Sequence, residues 1–137
     1  MSVTTDATAS ARPALLDREQ RASIDLAIAQ WVGSARATSM ARQRLLALGV
    51  APDEVESRRR AASADPILAG ILRFAVTTVI ARGRIGADLR RLKPVPSDAL
   101  VREVLTATAQ AFLNVTLAES IDATGPQPAI DMNIGDY

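Results

Sequence analysis

The amino-acid sequence predicts an all-α protein of five to six helices, and three observations support this fold class. First, 26 of the 137 residues are alanine, the residue with the highest helix propensity, whereas the chain holds only one Trp, one Tyr and two Phe. Second, apolar residues recur at intervals of three and four residues through most of the chain. Third, capping residues and glycines divide the chain into segments of helical length. We therefore expect helices that approach one another closely.

The first helix is predicted to begin at Asp17, because Gln20 follows it at the spacing of a capping box. The apolar residues of this helix share one face, which we expect to be buried. They are Ile24, Ala27, Ile28 and Trp31. Gly33 is expected to end the helix. Asp25 could add a polar contact to a nearby site, although its spacing fits a solvent-exposed face equally well.

A second helix is predicted from Ser34 to Leu48, with Gly49 as its C-terminal stop. Its apolar face is expected to consist of Ala37, Ala41, Leu45 and Leu48. A short helix follows, with Pro52-Asp53-Glu54 in its first turn and Arg58-Arg59-Arg60 at its end. Acidic residues at the start and basic residues at the end both suit the helix dipole. We expect this Arg run to be a solvated helix end.

The third long helix is predicted to open at Asp65-Pro66 and to be apolar around most of its circumference. Its apolar residues are Leu68, Ile71, Leu72, Ala75, Val76, Val79 and Ile80. A short helix over 87–92 and a break at Lys93-Pro94-Val95-Pro96 should follow, because two prolines so close together cannot continue a helix. Ser97 is expected to cap the last long helix. The apolar residues of that helix are Val101, Val104, Leu105, Phe112, Val115 and Ala118.

The two helices over 66–80 and 97–118 predict a homo-oligomer. A helix that is apolar nearly all round is buried, either in a core or at a subunit interface. One small domain rarely buries two such helices completely, so part of their surface is expected to contact another subunit.

The chain is expected to form one helical domain over residues 15–122. It would be preceded by a disordered tail over 1–14 and followed by an extended arm over 123–137. No segment approaches 18 continuous apolar residues, and the N-terminal segment lacks a basic start followed by an apolar core. We therefore expect a cytoplasmic protein. The formal net charge of +1 gives no general reason for a nucleic-acid or membrane partner.

The chain contains no cysteine and no histidine, which excludes several classes of chemistry. Disulfides, thiol peroxidases, Ser-His and Cys-His nucleophile pairs and metal sites that need imidazole or thiolate are all ruled out. General acid–base work would fall to Asp, Glu, Lys, Tyr or a bound group. We expect neither a metal nor a cofactor, and the absence of both residue types lowers the expectation of an enzyme.

Several segments occur in an order that resembles a known superfamily. DREQRASIDLAIAQ (17–30) is followed by the helix stop Gly49-Val50 and by the acidic PDEVES. ILAGILRFAVTTVIARG comes next, and Ala111-Phe112-Leu113-Asn114 lies in the last helix. These matches, over roughly 15–121, resemble the alkylhydroperoxidase-like (AhpD) and carboxymuconolactone decarboxylase superfamily. The resemblance implies an AhpD-like helical domain and a homo-oligomer, usually a dimer, a trimer or a trimer-based hexamer.

The residues that would carry the chemistry of that superfamily are missing. The spacing back from Gly49 places Ser34 and Ala37 at the two cysteine positions, Ala41 at the histidine position and Ala22 at that of the assisting glutamate. The reaction needs a thiolate at a helix start, a second thiol one turn on and a base. A decarboxylase-type member is expected to use a histidine. The resemblance therefore implies a catalytically degenerate member without thiol peroxidase activity.

The polar turn that remains at this position is the candidate ligand site, formed by Ser34, Arg36, Thr38 and Arg42. Free amides at a helix start, with arginines nearby, can hold a carboxylate or a phosphate. On the alternative interpretation, Ser34 is only an N-cap, both arginines are solvated, and the chain forms a structural homo-oligomer. An enzyme acting on a lactone or carboxylate, with Arg36 or Arg42 orienting the substrate, is the second functional hypothesis.

A DNA-binding interpretation rests on ARQRLLALGVAPDEVESRRR (41–60), which superficially resembles a helix-turn-helix. Leu45 is bulky where the two helices need a small residue, and Arg58 stands where that motif has an apolar core residue. Asp53 and Glu54 at the start of the supposed recognition helix would repel phosphates. We therefore expect no nucleic-acid partner.

Overall fold

The computed structural model describes residues 15–81 and 97–124, with side chains described as far as 120. Within these ranges the chain forms five α-helices and no strand, so the all-α prediction is confirmed. The helices are α1 (Arg18–Val32), α2 (Ala35–Ala47), α3 (Pro52–Arg59), α4 (Pro66–Ile80) and α5 (Asp98–Thr124). The predicted tail over 1–14, the short helix over 87–92, the proline break and residues 125–137 of the predicted arm lie outside the described residues.

The local signals for the helix ends are confirmed. The Asp17 carboxylate accepts a hydrogen bond from the Gln20 amide at 2.7 Å, and the Gln20 side chain accepts one from the Asp17 amide at 3.0 Å, which completes the capping box. Gly33 ends α1 at φ 92°, a conformation that favours glycine. Ser97 accepts a hydrogen bond from the Leu100 amide at 3.1 Å and so caps α5. This last helix continues to Thr124, two residues beyond the predicted domain boundary.

Helix α1 lies at the centre of the fold and contacts each of the other four helices. From Ala22 to Ala29, every residue except Asp25 is buried, because neighbouring helices cover α1 on nearly all sides. A larger apolar cluster joins α1, α4 and α5, and a smaller one joins α1, α2 and α3. The smaller cluster consists of Ala22, Leu26, Ala41, Leu45 and Val55.

Some residues predicted to face the core are exposed. Trp31, in the last turn of α1, is 48 % exposed, and Leu48 is 42 % exposed just beyond the end of α2. Both predictions were wrong because helical spacing identifies a face but not how far along the helix a neighbour covers it. On α4 and α5, Ile80 and Phe112 are also exposed. Within residues 15–81 and 97–120, these two helices are therefore not covered all round.

The prediction of a solvated Arg run was wrong for Arg58, which is only 6 % exposed. Arg58 lies three residues after the buried Val55, so both side chains face α1. Its guanidinium donates to Glu54 at 2.8 Å, forms an ion pair with Glu19 at 2.8 Å, and donates to the Ser23 hydroxyl at 3.2 Å. This buried cation joins α3 to α1, and it is buried because three oxygen acceptors replace the water that it loses.

Candidate functional site

The turn between α1 and α2 is held by Ser34, which is 1 % exposed. Its hydroxyl oxygen accepts a hydrogen bond from the Ala37 amide at 3.1 Å, the bond expected of an N-cap. The same hydroxyl donates to Glu119 on α5 at 2.5 Å. Ser34 therefore caps α2 and also connects this helix start to α5.

The positions that the resemblance assigns to the thiol relay are occupied by small apolar side chains. Ala22 and Ala41 are buried in the smaller apolar cluster, where they contact Leu26 and Leu45. Ala37 is half-buried and faces a groove. Three of these four positions thus hold alanine, and Ser34 is the one with a polar side chain.

A groove of about 170 Å³ lies between α2 and α5, with α1 at its base. Most of its lining is apolar and comes from small side chains and one methionine. These residues are Ala37, Met40, Ala41, Ala111, Val115 and Ala118. Asp25, Arg36, Arg44 and Asn114 supply the polar groups. An apolar cleft with a few convergent polar groups is the usual form of a small-molecule site.

The charges in the groove include one ion pair. Arg44 donates to the Asp25 carboxylate at 3.1 Å. Burial raises the pKa of Asp25 above its ordinary value, and the charge and hydrogen bond of Arg44 only partly oppose this effect. Because Arg36 also lines the groove, two cations and one carboxylate meet there, and the groove carries a formal charge of +1 while Asp25 is ionised.

The four predicted site residues do not lie together. Ser34, Thr38 and Arg42 line a separate open cleft of about 680 Å³, whereas Arg36 lines the groove. In the open cleft, Glu56 lies 3.7 Å from the Arg42 guanidinium and 2.9 Å from that of Arg59. The three charged side chains of the open cleft are thus engaged with one another.

Sequence reasoning suggested Asp25 as a possible polar contact, and the structure places it in the groove with Arg36. It missed Arg44 and the entire α5 wall. A signal for Arg44 existed, because Arg36, Met40 and Arg44 recur every four residues and so share a face of α2. The contribution of α5 had no local signal, since its lining residues lie about 70 positions further along the chain.

The described part of the chain offers neither a cluster of metal ligands nor a membrane-spanning helix. No group of three or more Asp and Glu side chains is placed to hold a metal ion in residues 15–81 and 97–120. Among the five helices, none is long and apolar enough to cross a membrane.

Comparison with protein-family models, with curated proteins and with solved structures finds no match for this chain. The groove and its side chains are therefore the basis for a functional assignment.

Proposed function

We propose that this chain is a catalytically degenerate AhpD-like protein that binds a small amphipathic anion in the groove between α2 and α5. The observation that carries the proposal is the groove itself, which has a mostly apolar lining together with Arg36, Arg44 and Asp25. A homo-oligomer and a cytoplasmic location belong to the same proposal, as does the absence of thiol peroxidase activity.

The size and lining of the groove define the ligand class. A volume of about 170 Å³ is close to that of a protein cavity that accepts a benzene-sized molecule. Alanine, valine and methionine side chains suit an apolar body, while Arg36 and Arg44 suit a carboxylate or phosphate. We therefore expect a ligand with one anionic group and a body of about six to eight non-hydrogen atoms, by analogy with that cavity.

The surroundings of Ser34 support a role in capping rather than in catalysis. A serine hydroxyl becomes a nucleophile when a base takes its proton and the substrate can reach the oxygen. Glu119 accepts the hydrogen bond of the hydroxyl, but Ser34 is 1 % exposed and its oxygen already accepts the Ala37 amide. The hydroxyl is thus enclosed and directed toward helix α5.

A second candidate function is an enzyme that acts on a lactone or carboxylate without thiol chemistry. The pKa of Asp25 is raised by burial, so this carboxyl holds its proton at higher pH than an ordinary aspartate. A protonated carboxyl beside Arg44 could serve as a general acid toward a substrate in the groove. Asp25→Asn distinguishes the two functions: an enzyme loses turnover, whereas a binding protein retains its affinity for the anion.

The test is a thermal-shift screen of the full chain against small carboxylates, lactones, hydroperoxides and phosphates. A ligand at 100 times its dissociation constant adds about 2.7 kcal/mol to the free energy of unfolding, which raises the melting temperature by several degrees. Arg36→Ala should abolish the shift, and Arg42→Ala is the matched control on the open cleft. A shift that is lost in Arg42→Ala but kept in Arg36→Ala would place the site in the open cleft. A screen in which no compound raises the melting temperature would refute anion binding.

A further inference from the structure

The groove between α2 and α5 contains an anionic group of the chain itself, the carboxylate of Asp25. This residue is the one position that is not buried in the stretch of α1 from Ala22 to Ala29. Its carboxylate accepts a hydrogen bond from Arg44 on α2 at 3.1 Å. Arg44 is also one of the two arginines that suit a ligand anion in the groove. Asp25 and such a ligand therefore require the same guanidinium.

The surroundings of Asp25 contain several cations and no second carboxylate. Asp25 and Arg44 line the groove and also a cavity between α1 and α2, here called the α1 cleft. Among the described residues, helix α5 contributes only uncharged side chains to these two cavities, and α3 and α4 contribute none. The charged residues that line them are Arg18, Arg21, Arg36, Arg44 and Asp25. Arg21 is itself paired with Glu103 at 3.2 Å. An anion in the groove thus meets Asp25 as its neighbour of like charge.

A ligand anion beside Asp25 would disfavour the ionised form of this carboxyl. The Arg44 guanidinium has several N–H donors and can contact two anions, but the two would then lie side by side in a mostly apolar groove. Two negative groups that share one site oppose each other's ionisation. Burial already raises the pKa of Asp25, although Arg44 and Arg21 act to lower it. A bound anion acts in the same direction as burial.

We propose that each ligand anion enters the groove together with one proton, which neutralises Asp25 and leaves Arg44 to the ligand. This inference rests on the proposed function and specifies how pH regulates the same site. The Asp25 carboxylate takes the proton from solvent, and Arg44 exchanges its hydrogen bond to Asp25 for one to the ligand. The formal charge of the groove rises from +1 to +2 on protonation, and a bound monoanion returns it to +1.

The exposure of the two side chains permits this exchange. The Asp25 side chain is 35 % exposed and that of Arg44 is 52 % exposed. Water therefore reaches the carboxyl directly, and the proton needs no relay through other residues. The Arg44 guanidinium can turn from one partner to another while it stays hydrated. Arg58 is a contrasting case, because its guanidinium is enclosed by three acceptors from its own chain.

Thermodynamic linkage sets the expected strength of the coupling. The proton and the anion strengthen each other's binding by the same factor, because coupling between two sites is reciprocal. Two carboxylates that share an enclosed site can oppose each other's ionisation by roughly a thousandfold. Water reaches Asp25 and the arginines offset part of the repulsion, so we expect a factor of about ten.

Calorimetric titration of the full chain with benzenesulfonate tests the proposal. A sulfonate stays ionised across the pH range in which carboxyl groups titrate, and its ring is of the size that the groove accepts. The affinity should fall about tenfold as pH rises through the pKa of Asp25. Near that pKa, heats measured in two buffers of different ionisation enthalpy should show uptake of up to one proton per ligand. In a carboxyl-carbon NMR titration of wild type, which needs no variant, benzenesulfonate should raise the pKa of Asp25.

Two variants show whether the proton goes to Asp25. Asp25→Asn should bind benzenesulfonate at every pH with the affinity that wild type has at low pH. Asp53→Asn is the matched control, because Asp53 is an exposed aspartate on α3 that lines neither cavity, and it should keep the pH dependence of wild type. Circular dichroism checks that both variants retain their helices.

The outcomes separate the proton coupling from the anion site. Wild type that binds benzenesulfonate with no pH dependence and no proton uptake would overturn the coupling and leave anion binding in place. A pH dependence that persists in Asp25→Asn would overturn it equally, because the proton would then go to another group. If benzenesulfonate bound neither wild type nor Asp25→Asn at any pH, the coupling and the proposed anion site would both be refuted.

Discussion

Arg58 provides a direct test of whether a buried ion pair stabilises this fold. Its guanidinium joins α3 to α1 through Glu54, Glu19 and Ser23, and it is 6 % exposed. Truncation to alanine removes two ion pairs, one hydrogen bond to a hydroxyl and the apolar stem of the side chain. The partners would remain in place without their cation.

The expected loss follows from what each partner retains. Removing one partner of a fully buried ion pair typically costs about 3–5 kcal/mol, because the other charge is left uncompensated. Here Glu54 would still accept hydrogen bonds from Ser63 and from the Ala64 amide, and the Glu19 side chain is 43 % exposed and can be hydrated. We therefore expect Arg58→Ala to lower the free energy of unfolding by about 2–3 kcal/mol, somewhat below that range.

Urea unfolding followed by circular dichroism measures this difference, with Arg59→Ala as the matched control. Arg59 stands next in the sequence and pairs with Glu56 at 2.9 Å, but its side chain is 29 % exposed. An ion pair near the surface contributes about 0–1 kcal/mol to the free energy of unfolding, so Arg59→Ala should be nearly as stable as wild type. If Arg58→Ala lowered the free energy of unfolding no more than Arg59→Ala, the cost of burying the guanidinium would cancel its attraction to Glu54 and Glu19. Our account of this cluster would then be wrong.

Three further predictions concern single side chains. The pKa of Asp25 is raised by burial, so the folded state binds its proton more tightly and the free energy of unfolding should fall as pH rises through that pKa. Asp25→Asn should remove this slope in urea titrations. Because asparagine is uncharged at every pH, the variant should also bind the anion with the same affinity at low and at neutral pH, whereas wild type should bind it more tightly at low pH. The pKa of Glu54 is lowered, because hydrogen bonds from Ser63 and Arg58 outweigh the effect of burial. The ionised Glu54 therefore stabilises the fold above its ordinary pKa of 4.5, and this stabilisation should be lost as pH falls through the lowered pKa. In Glu54→Gln the free energy of unfolding should fall less steeply with decreasing pH. Ser34→Ala should cost about 0.5–2 kcal/mol in the same assay by removing the α2 cap, whereas alanine at the exposed Ser39 should be nearly neutral.

The amino-acid sequence by itself determined where helices begin and end. The bonds that cap α1 join Asp17 to Gln20, and those that cap α2 and α5 start at Ser34 and Ser97. Each spans three residues, so its partners are visible in a short window of sequence. Gly33 at positive φ is a local requirement of the same kind. These features could be predicted because no distant part of the chain takes part in them.

Only the tertiary structure decided which predicted faces are covered. Trp31 follows the apolar spacing of α1 yet is exposed, while Arg58 belongs to a charged run yet is buried. Exposure depends on which helix lies opposite a residue, and a periodic pattern carries no information on that point. The alanine-rich segments add to the ambiguity, because small side chains allow close contact between helices without selecting one neighbour.

The candidate site shows the same division. Arg36 could be named from the sequence, and its spacing of two positions from Ser34 already directs the two residues to different sides of α2. Which cavity lies on each side could not be predicted, because that depends on the neighbouring helices. The groove exists because α2 and α5 lie over α1 without filling the space between them. Residues far apart in sequence form its walls, so the shape and net charge of the groove depend on how the three helices are arranged in the folded chain. The same arrangement buries Asp25 and so raises its pKa.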